Sequence, residues 1–298
     1  MISRLIETIS AKDQFQAKYL KEAVADLSEE EKLSFESVLN YFISGGYDLD
    51  YLAKSYLVIV QDTMREQKYF FDYKKYRYAS YDEVAGHVYD DPEYMHHYMA
   101  GLVLTKYLWH THRQIMRWYE SKSKTVAGDR YFEIGPGHGD YFASAMLNMK
   151  CKEYIAVDIS ETSVEMTKAF VKHFIDFYKI SPEYSIINKN FLDFDNRTLF
   201  DVIIMGEVLE HVEQPLKFLQ KIKNLASDDA FIYITTAINA PAVDHIYLFD
   251  SIGSVINLIN EAGMKVDDYL AVTAQPSLSL EKAIRKKYPI TIALVLKK

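Results

Sequence analysis

The chain has 298 residues, a net charge of −8, 49% hydrophobic and 26% charged residues, enough for one large or two small globular domains with a sizeable core. The acidic balance argues against nucleic acid or an anionic membrane as a broad partner, since either rewards a basic face. The single cysteine, Cys151, excludes an internal disulfide and a cysteine-based zinc site; the first residues carry an early acid and no long apolar run, and no stretch reaches the roughly 18 apolar residues of a membrane span, so a cytoplasmic protein is expected.

Residues 1–122 read as all-helical. Ser28 followed by Glu29, Glu30 and Glu31 is an N-cap with acids in a first helical turn. Leu33, Phe35, Val38, Leu39 and Phe42 then recur at helical spacing, and Gly45-Gly46 stops the run. A second helix is expected over 49–68. Asp91-Pro92-Glu93 opens a third, with Asp as cap and Pro at the first helical position; the pattern continues through Tyr98, Leu104, Leu108 and Ile115 to Trp118. Between these lies an aromatic, basic stretch over 69–78. Fifteen of the 24 tyrosines precede residue 122, which sets this segment apart from the rest of the chain. The stretch 121–129 reads as a linker.

From residue 130 strands and helices alternate. Strands are expected over 130–134, 154–157, 184–187, 200–205, 230–235, 266–273 and 290–296. Helices are expected over 140–149, 161–178, 214–226 and 254–261. Helices of this length between strands imply a doubly wound, mostly parallel sheet. The final two strands lack a clearly patterned crossover, which suits an antiparallel hairpin at the edge. The fold expected is therefore a Rossmann-like seven-stranded α/β sheet (123–298) behind an N-terminal helical domain or lid (1–122).

Ligands of such sheets sit at the carboxyl ends of the strands. After strand one comes Glu133-Ile-Gly-Pro-Gly-His-Gly139. Gly135, Gly137 and Gly139 let the backbone approach a ligand where a Cβ would clash. Asp158 ends strand two, placed to accept from both hydroxyls of a ribose. Asn190 and Phe191 follow strand three. Gly206-Glu207-Val-Leu-Glu-His211-Val-Glu-Gln-Pro215 follows strand four. A dinucleotide fold wants G-x-G-x-x-G, and here Asp140 stands where the third glycine would be.

Residues 130–298 resemble the class I S-adenosylmethionine-dependent methyltransferases, through the glycine turn, Val157-Asp158-Ile-Ser, Asn190-Phe-Leu-Asp193 and the Glu207-Val-Leu-Glu-His-Val run. The last is similar to the signature of small-molecule methyltransferases of the ubiquinone-biosynthesis type. The resemblance implies S-adenosylmethionine as cofactor and S-adenosylhomocysteine as product. It places Gly135, Gly137 and Gly139 under the methionine portion, Glu133 near its amino group, Asp158 on the ribose, Ile159 on an adenine face, and Asn190 and Phe191 at the adenine ring. Gly206 is counted with these cofactor-binding positions. Asn190 departs from the aspartate more often found there. The first 122 residues resemble no family.

Methyl transfer from a sulfonium is an in-line displacement in which the protein positions and desolvates. A base is needed only where the acceptor loses a proton. His211, His245 and Glu207 are the catalytic candidates. The segment 239–249 interleaves Asp244, His245 and Tyr247 with Ile246, Leu248 and Phe249, a pattern no solvated loop needs, and reads as substrate-facing; Asp244 and Tyr247 are candidate substrate contacts, with His245 oriented by an acid. Tyr98 joins them from the helical front, read as a lid that closes the site against water. Glu93-x-x-His96 has the spacing of a di-iron ligand pair but lacks a second such pair, so no metal site is expected. The partner expected is a small molecule, with a carrier-protein- or sugar-linked acceptor and a homodimer both left open. The competing readings are a nicotinamide-dependent oxidoreductase and a non-enzymatic cofactor-binding module.

Overall fold

The change of periodicity near residue 130 is realised as a change of architecture in the computed structural model, which describes residues 1–88, 91–195 and 198–298. Helices α1 (Ile2–Lys12), α2 (Gln16–Ala25), α3 (Glu29–Ser44), α4 (Leu49–Tyr73), α5 (Tyr81–Ala85), α6 (Pro92–Leu108) and α7 (His110–Ser123) come first. Ser28 caps α3 in a full capping box with Glu31, and Asp91 caps α6 with Pro92 behind it.

Two expectations for this region are corrected. The aromatic stretch after residue 68 does not leave the helix; α4 continues to Tyr73 and ends at Lys74 in the left-handed conformation. The third helix is not continuous to Trp118. It breaks at Trp109, whose extended backbone (φ −97°, ψ 135°) ends α6 and starts α7. No proline or glycine sits there. The break is held by tertiary bonds: Trp109 Nε1 donates to Tyr56 Oη (3.3 Å), and Arg113 Nη1 donates to the Tyr107 carbonyl (2.9 Å) that the break would otherwise leave unsatisfied. The turn lets α7 lie on the sheet, where Ile115, Met116 and Tyr119 pack with Tyr131, Val202, Ile204 and Tyr233.

The sheet comprises β1 (Arg130–Ile134), β2 (Glu153–Asp158), β3 (Glu183–Asn188), β4 (Phe200–Gly206), β5 (Ala226–Ile238), β6 (Lys265–Thr273) and β7 (Ile290–Lys297). Its order is β3-β2-β1-β4-β5-β7-β6. β1 to β5 are parallel, and β7 runs antiparallel to both β5 and β6. The interleaved helices are α8 (Asp140–Asn148), α9 (Glu161–Tyr178), α10 (Pro215–Leu225), α11 (Ile252–Glu261) and a short α12 (Leu280–Lys286) in the β6–β7 connection, where no helix was expected.

Alternation along each strand splits the core in two. Phe132, Ile134, Ile203 and Met205 face α10 and α11 side chains such as Leu219, Ile222, Val255 and Ile259. Tyr131, Ala156, Val202, Ile204 and Tyr233 face α7 and α8. The N-terminal helices have their own core around Leu5, Phe35, Leu52, Tyr56, Leu104 and Leu108, which also takes in Ala143 of α8 and Phe170 and Phe174 of α9. The helical front is thus seated on the sheet's own helices. No helix among the described residues is long and apolar enough to cross a membrane.

Candidate active site

The glycine turn after β1 has the backbone its sequence demands. Gly135, Gly137 and Gly139 all have positive φ (64°, 54° and 88°), a region side chains rarely enter. Their surroundings differ. A Cβ on Gly135 would lie 2.7 Å from a Val208 methyl carbon, and one on Gly139 2.9 Å from a Thr167 methyl carbon, whereas one on Gly137 would meet nothing within 4 Å. Of the three, only Gly137 faces open space. Thr167 Oγ1 donates to the Gly137 carbonyl and holds it from behind.

Acidic groups stand near the ends of the two strands beside this turn, Glu133 on β1 and Asp158 on β2. Glu133 is buried and accepts from Tyr131 Oη; burial raises its carboxyl to about 8. Burial raises Asp158 to about 6, partly offset by amides of Ser160, Gly137 and Ile159. Ser160 N donates to Asp158 Oδ1 at 2.9 Å. Ile159 beside it is half exposed, a flat apolar surface at the rim. Phe191 is buried against Phe132 and Phe218. Asn190 Oδ1 accepts from Leu192 N (2.9 Å) and caps the one-turn helix Phe191–Asp193, so that oxygen is engaged within the chain. Gly206 has a packing reason: a Cβ there would sit 2.6 Å from the Tyr141 ring.

The ends of β4 and β5 gather a second group. Glu207 has φ +51° and Asn239 φ +49°, non-glycine residues in a costly region. Glu207 N donates to Thr235 Oγ1 (2.9 Å). The following turn carries Glu210 and His211 to the 239–249 segment, whose Ile246 and Tyr247 amides both donate to the Glu210 carbonyl (2.8 and 2.9 Å). His211 Nδ1 donates to the Asp244 carbonyl (3.0 Å), with the Asp244 carboxylate 3.5 Å away. His245 Nδ1 donates to the Ala240 carbonyl (2.6 Å). The two rings meet edge to face at 4.8 Å. Burial and then the neighbouring His211 push His245 down to about 3. Burial raises Glu207, and burial together with Glu207's charge raises Glu210 well above the usual carboxylate range.

The structure therefore brings His211, His245, Glu207 and Asp244 together, and alters one detail. His245 is oriented by a backbone carbonyl and not by an acid; the acid lies beside His211. Tyr98 Oη donates to Asp244 Oδ2 (2.9 Å), which carries α6 onto the same group. The Tyr76 ring packs on His245 at 5.6 Å, and Tyr81 N donates to Glu213 Oε1 (3.0 Å). Tyr247 faces Phe249 at 4.8 Å and packs into the sheet core. Sequence reasoning passed over Glu210, Thr235, Thr236 and Tyr76. The spacing Glu207-x-x-Glu210 and the Thr235-Thr236 pair interrupting an apolar strand were the available signals for the first three. A cavity of about 520 Å³ lined by Thr125, Gly128, Asp129, Asp201 and Ser227 lies at the opposite, amino edge of the strands, away from all of these groups.

A family profile described as a methyltransferase domain matches residues 104–267, more than half of the chain. The chain belongs to the S-adenosylmethionine-dependent methyltransferases. S-adenosylmethionine is its cofactor, and the oxidoreductase and non-enzymatic readings fall away. The residues fit that cofactor: Gly137 faces open space, and two cation-free acidic groups stand near the ends of the strands beside its turn. No curated protein matches the chain in sequence. Solved structures of similar fold include a cyclopropane synthase from Mycobacterium tuberculosis (12% identity, TM-score 0.49, 63% of this chain and 84% of that one). Another is the N-methyltransferase NodS from Bradyrhizobium japonicum in complex with S-adenosyl-L-homocysteine (16% identity, TM-score 0.46, 63% and 88%). The assignment rests on the family match and not on these likenesses.

Proposed function

We propose that this methyltransferase acts on a small-molecule acceptor in a biosynthetic pathway, in the cytoplasm, and that the acceptor atom loses a proton: a hydroxyl oxygen or an acidic carbon. The observation that carries the reading is the half-buried to buried group Glu207, Glu210, His211 and His245 at the ends of β4 and β5. These side chains accept protons and charge, and an acceptor already nucleophilic at neutral pH would not need them.

In this reading Glu133 takes the ammonium of the cofactor, Gly135, Gly137 and Gly139 pass beneath its methionine portion, Asp158 takes the ribose hydroxyls, and Ile159, Asn190 and Phe191 border the adenine, while Gly206 ends β4 on the other side of β1. The acceptor atom attacks the methyl carbon in line with the S–C bond. That bond breaks, the sulfonium becomes a neutral thioether, and the acceptor's proton passes to Glu207 or His211, against which His245 is packed. His245, pushed down to about 3 by burial and then by His211, keeps a lone pair at every physiological pH but is too weak a base to retain a proton; His211 has the Asp244 carboxylate 3.5 Å away. Asp244, Tyr98 and Tyr247 border the acceptor. The helices of residues 1–122 form the lid over the domain 123–298, because Tyr98 and Tyr76 on that side touch Asp244 and His245.

The test is turnover of S-adenosylmethionine with a panel of phenols, sugar hydroxyls, enolisable carbonyls and amines, read by mass spectrometry. Methylated oxygen or carbon is expected. Turnover confined to amines refutes the reading. His211→Gln is expected to lower turnover by about 10²–10⁴-fold while S-adenosylhomocysteine still binds.

A further inference from the structure

The cluster at the ends of β4 and β5 has the features of a ligand set. One donor atom from each of Glu210, His211 and His245 lies within 4.8 Å of those of the other two. The tautomers are set from behind. A carbonyl oxygen only accepts, so the Nδ1 atoms that face the Asp244 and Ala240 carbonyls carry the protons. Each ring then keeps its lone pair on Nε2. An imidazole whose far nitrogen is pinned by a backbone acceptor is oriented as metal-binding histidines are.

Glu210 is prepared in the same way. Its Oε2 accepts from Thr236 Oγ1 at 2.7 Å, and its Oε1 is buried with no hydrogen-bond partner among the described residues outside the Glu207 carboxyl. Glu207 Oε1 is likewise buried and without a partner outside this pair. Glu207 and Glu210 lie side by side with their carboxyl groups hydrogen-bonded to one another, and the charged groups acting on them include no lysine or arginine. A cation bound here takes the place of the proton that such a pair must share.

We propose that Glu210, His211 and His245 hold one divalent transition-metal cation, with Glu207 as the neighbouring second carboxylate and an open position for the acceptor's oxygen. The proposal rests on the reading of this cluster as the acceptor side of the site. Two imidazoles and a carboxylate suit Zn²⁺, Mn²⁺ or Fe²⁺ better than Mg²⁺ or Ca²⁺, which favour all-oxygen ligands. Bonds of about 2.1 Å place tetrahedral ligand atoms about 3.4 Å apart, so the three side chains draw together on loading. A cation here lowers the pKa of a bound hydroxyl; it makes both histidines ligands, so in the metal-loaded protein the acceptor's proton passes to Glu207 and not to an imidazole. This departs from the sequence expectation of no metal, which did not weigh the acids and histidines at the ends of β4 and β5 as a ligand set.

The experiment is calorimetric titration of metal-stripped protein with Zn²⁺, with Mg²⁺ as comparator, followed by metal content after dialysis. The expected result is one Zn²⁺ per chain, with affinity about a hundredfold weaker in Glu210→Gln and in His245→Gln, and with S-adenosylhomocysteine affinity in both variants within about twofold of the parent. His96→Gln, on the exposed face of α6, is the control and keeps the full uptake. Folded, S-adenosylhomocysteine-binding protein that takes up no Zn²⁺ overturns the proposal, as does uptake undiminished in both site variants. Loss of S-adenosylhomocysteine binding by the parent protein strikes the cofactor assignment instead, since Zn²⁺ uptake is read without it.

Discussion

Binding of S-adenosylhomocysteine should release a proton, and Glu133 is the reason. Its carboxyl is raised to about 8 by burial, and that of Asp158 to about 6. At pH 7 the free protein therefore holds Glu133 about nine-tenths protonated and Asp158 about nine-tenths ionised. The ligand's ammonium and ribose hydroxyls favour the ionised form of each. The form that binds is thus the one populated at higher pH, so affinity rises with pH. Ionising Glu133 one pH unit below its pKa costs about 1.4 kcal/mol, which makes the dependence about tenfold per unit between pH 6 and 8 and steeper below 6, where Asp158 joins. Calorimetry at pH 7 in buffers of different ionisation enthalpy measures the release directly, with about 0.9 to 1 proton expected per ligand. A release near zero, with a dissociation constant flat from pH 5.5 to 7.5, refutes the assignment. So does a Glu133→Gln protein that keeps the parent's slope above pH 6.

Two glycine variants should separate ligand space from packing space. Gly137→Ala puts a methyl into the opening at φ +54°, so S-adenosylhomocysteine binding is lost for only about 1–2 kcal/mol of stability, measured by calorimetry beside urea melts; Gly206→Ala strikes the Tyr141 ring and should show up mainly in the melt, at about 1–3 kcal/mol. Tyr98→Phe deletes the bond from α6 to Asp244; about 1 kcal/mol of stability and a faster release of S-adenosylhomocysteine in stopped flow are expected, and unchanged release kinetics would remove the lid role of that contact. Lys106 Nζ donates to Asp140 Oδ1 at 2.6 Å, with Asp140 buried and Lys106 largely so; burial opposes the lysine's charge, and Asp140 together with Tyr107 and Glu120 outweighs it. Lys106→Met leaves Asp140 buried and alone, so a loss of about 3–5 kcal/mol is expected in denaturant melts; a loss below about 1 kcal/mol contradicts the pairing.

What could be read from residues alone was whatever local chemistry dictates. Ser28 and Glu31, Asp91 and Pro92, and the three glycines with positive φ are positions where a side chain or its absence settles the backbone by itself, and they stand where expected. The Trp109 break was illegible because nothing in the residue breaks a helix. It comes from α7 turning onto a sheet that the chain has yet to make. The histidines illustrate the same limit. That His211 and His245 belong to one site could be argued from strand-end positions, but the tautomers depend on carbonyls of residues 240 and 244, and every residue carries a carbonyl. Glu210 was hidden for a related reason: beside Glu207 in a motif it reads as one more acid, and only the Thr236 hydroxyl and the burial around it make its remaining oxygen conspicuous.

The strained positions bear on why the site sits where it does. Glu207 and Asn239 are non-glycine residues with positive φ, and they close adjacent strands, β4 and β5. A glycine at either would relieve a cost of about 1–2 kcal/mol. At Glu207 it would also delete a carboxylate from the cluster, and at Asn239 the side-chain amide that donates to the Asp250 carbonyl at 3.0 Å and pins the far end of the 239–249 segment. The strain is thus tied to side chains that build the acceptor side. It contrasts with the cofactor side, where the same left-handed backbone is supplied by glycines because what matters there is the absence of a side chain.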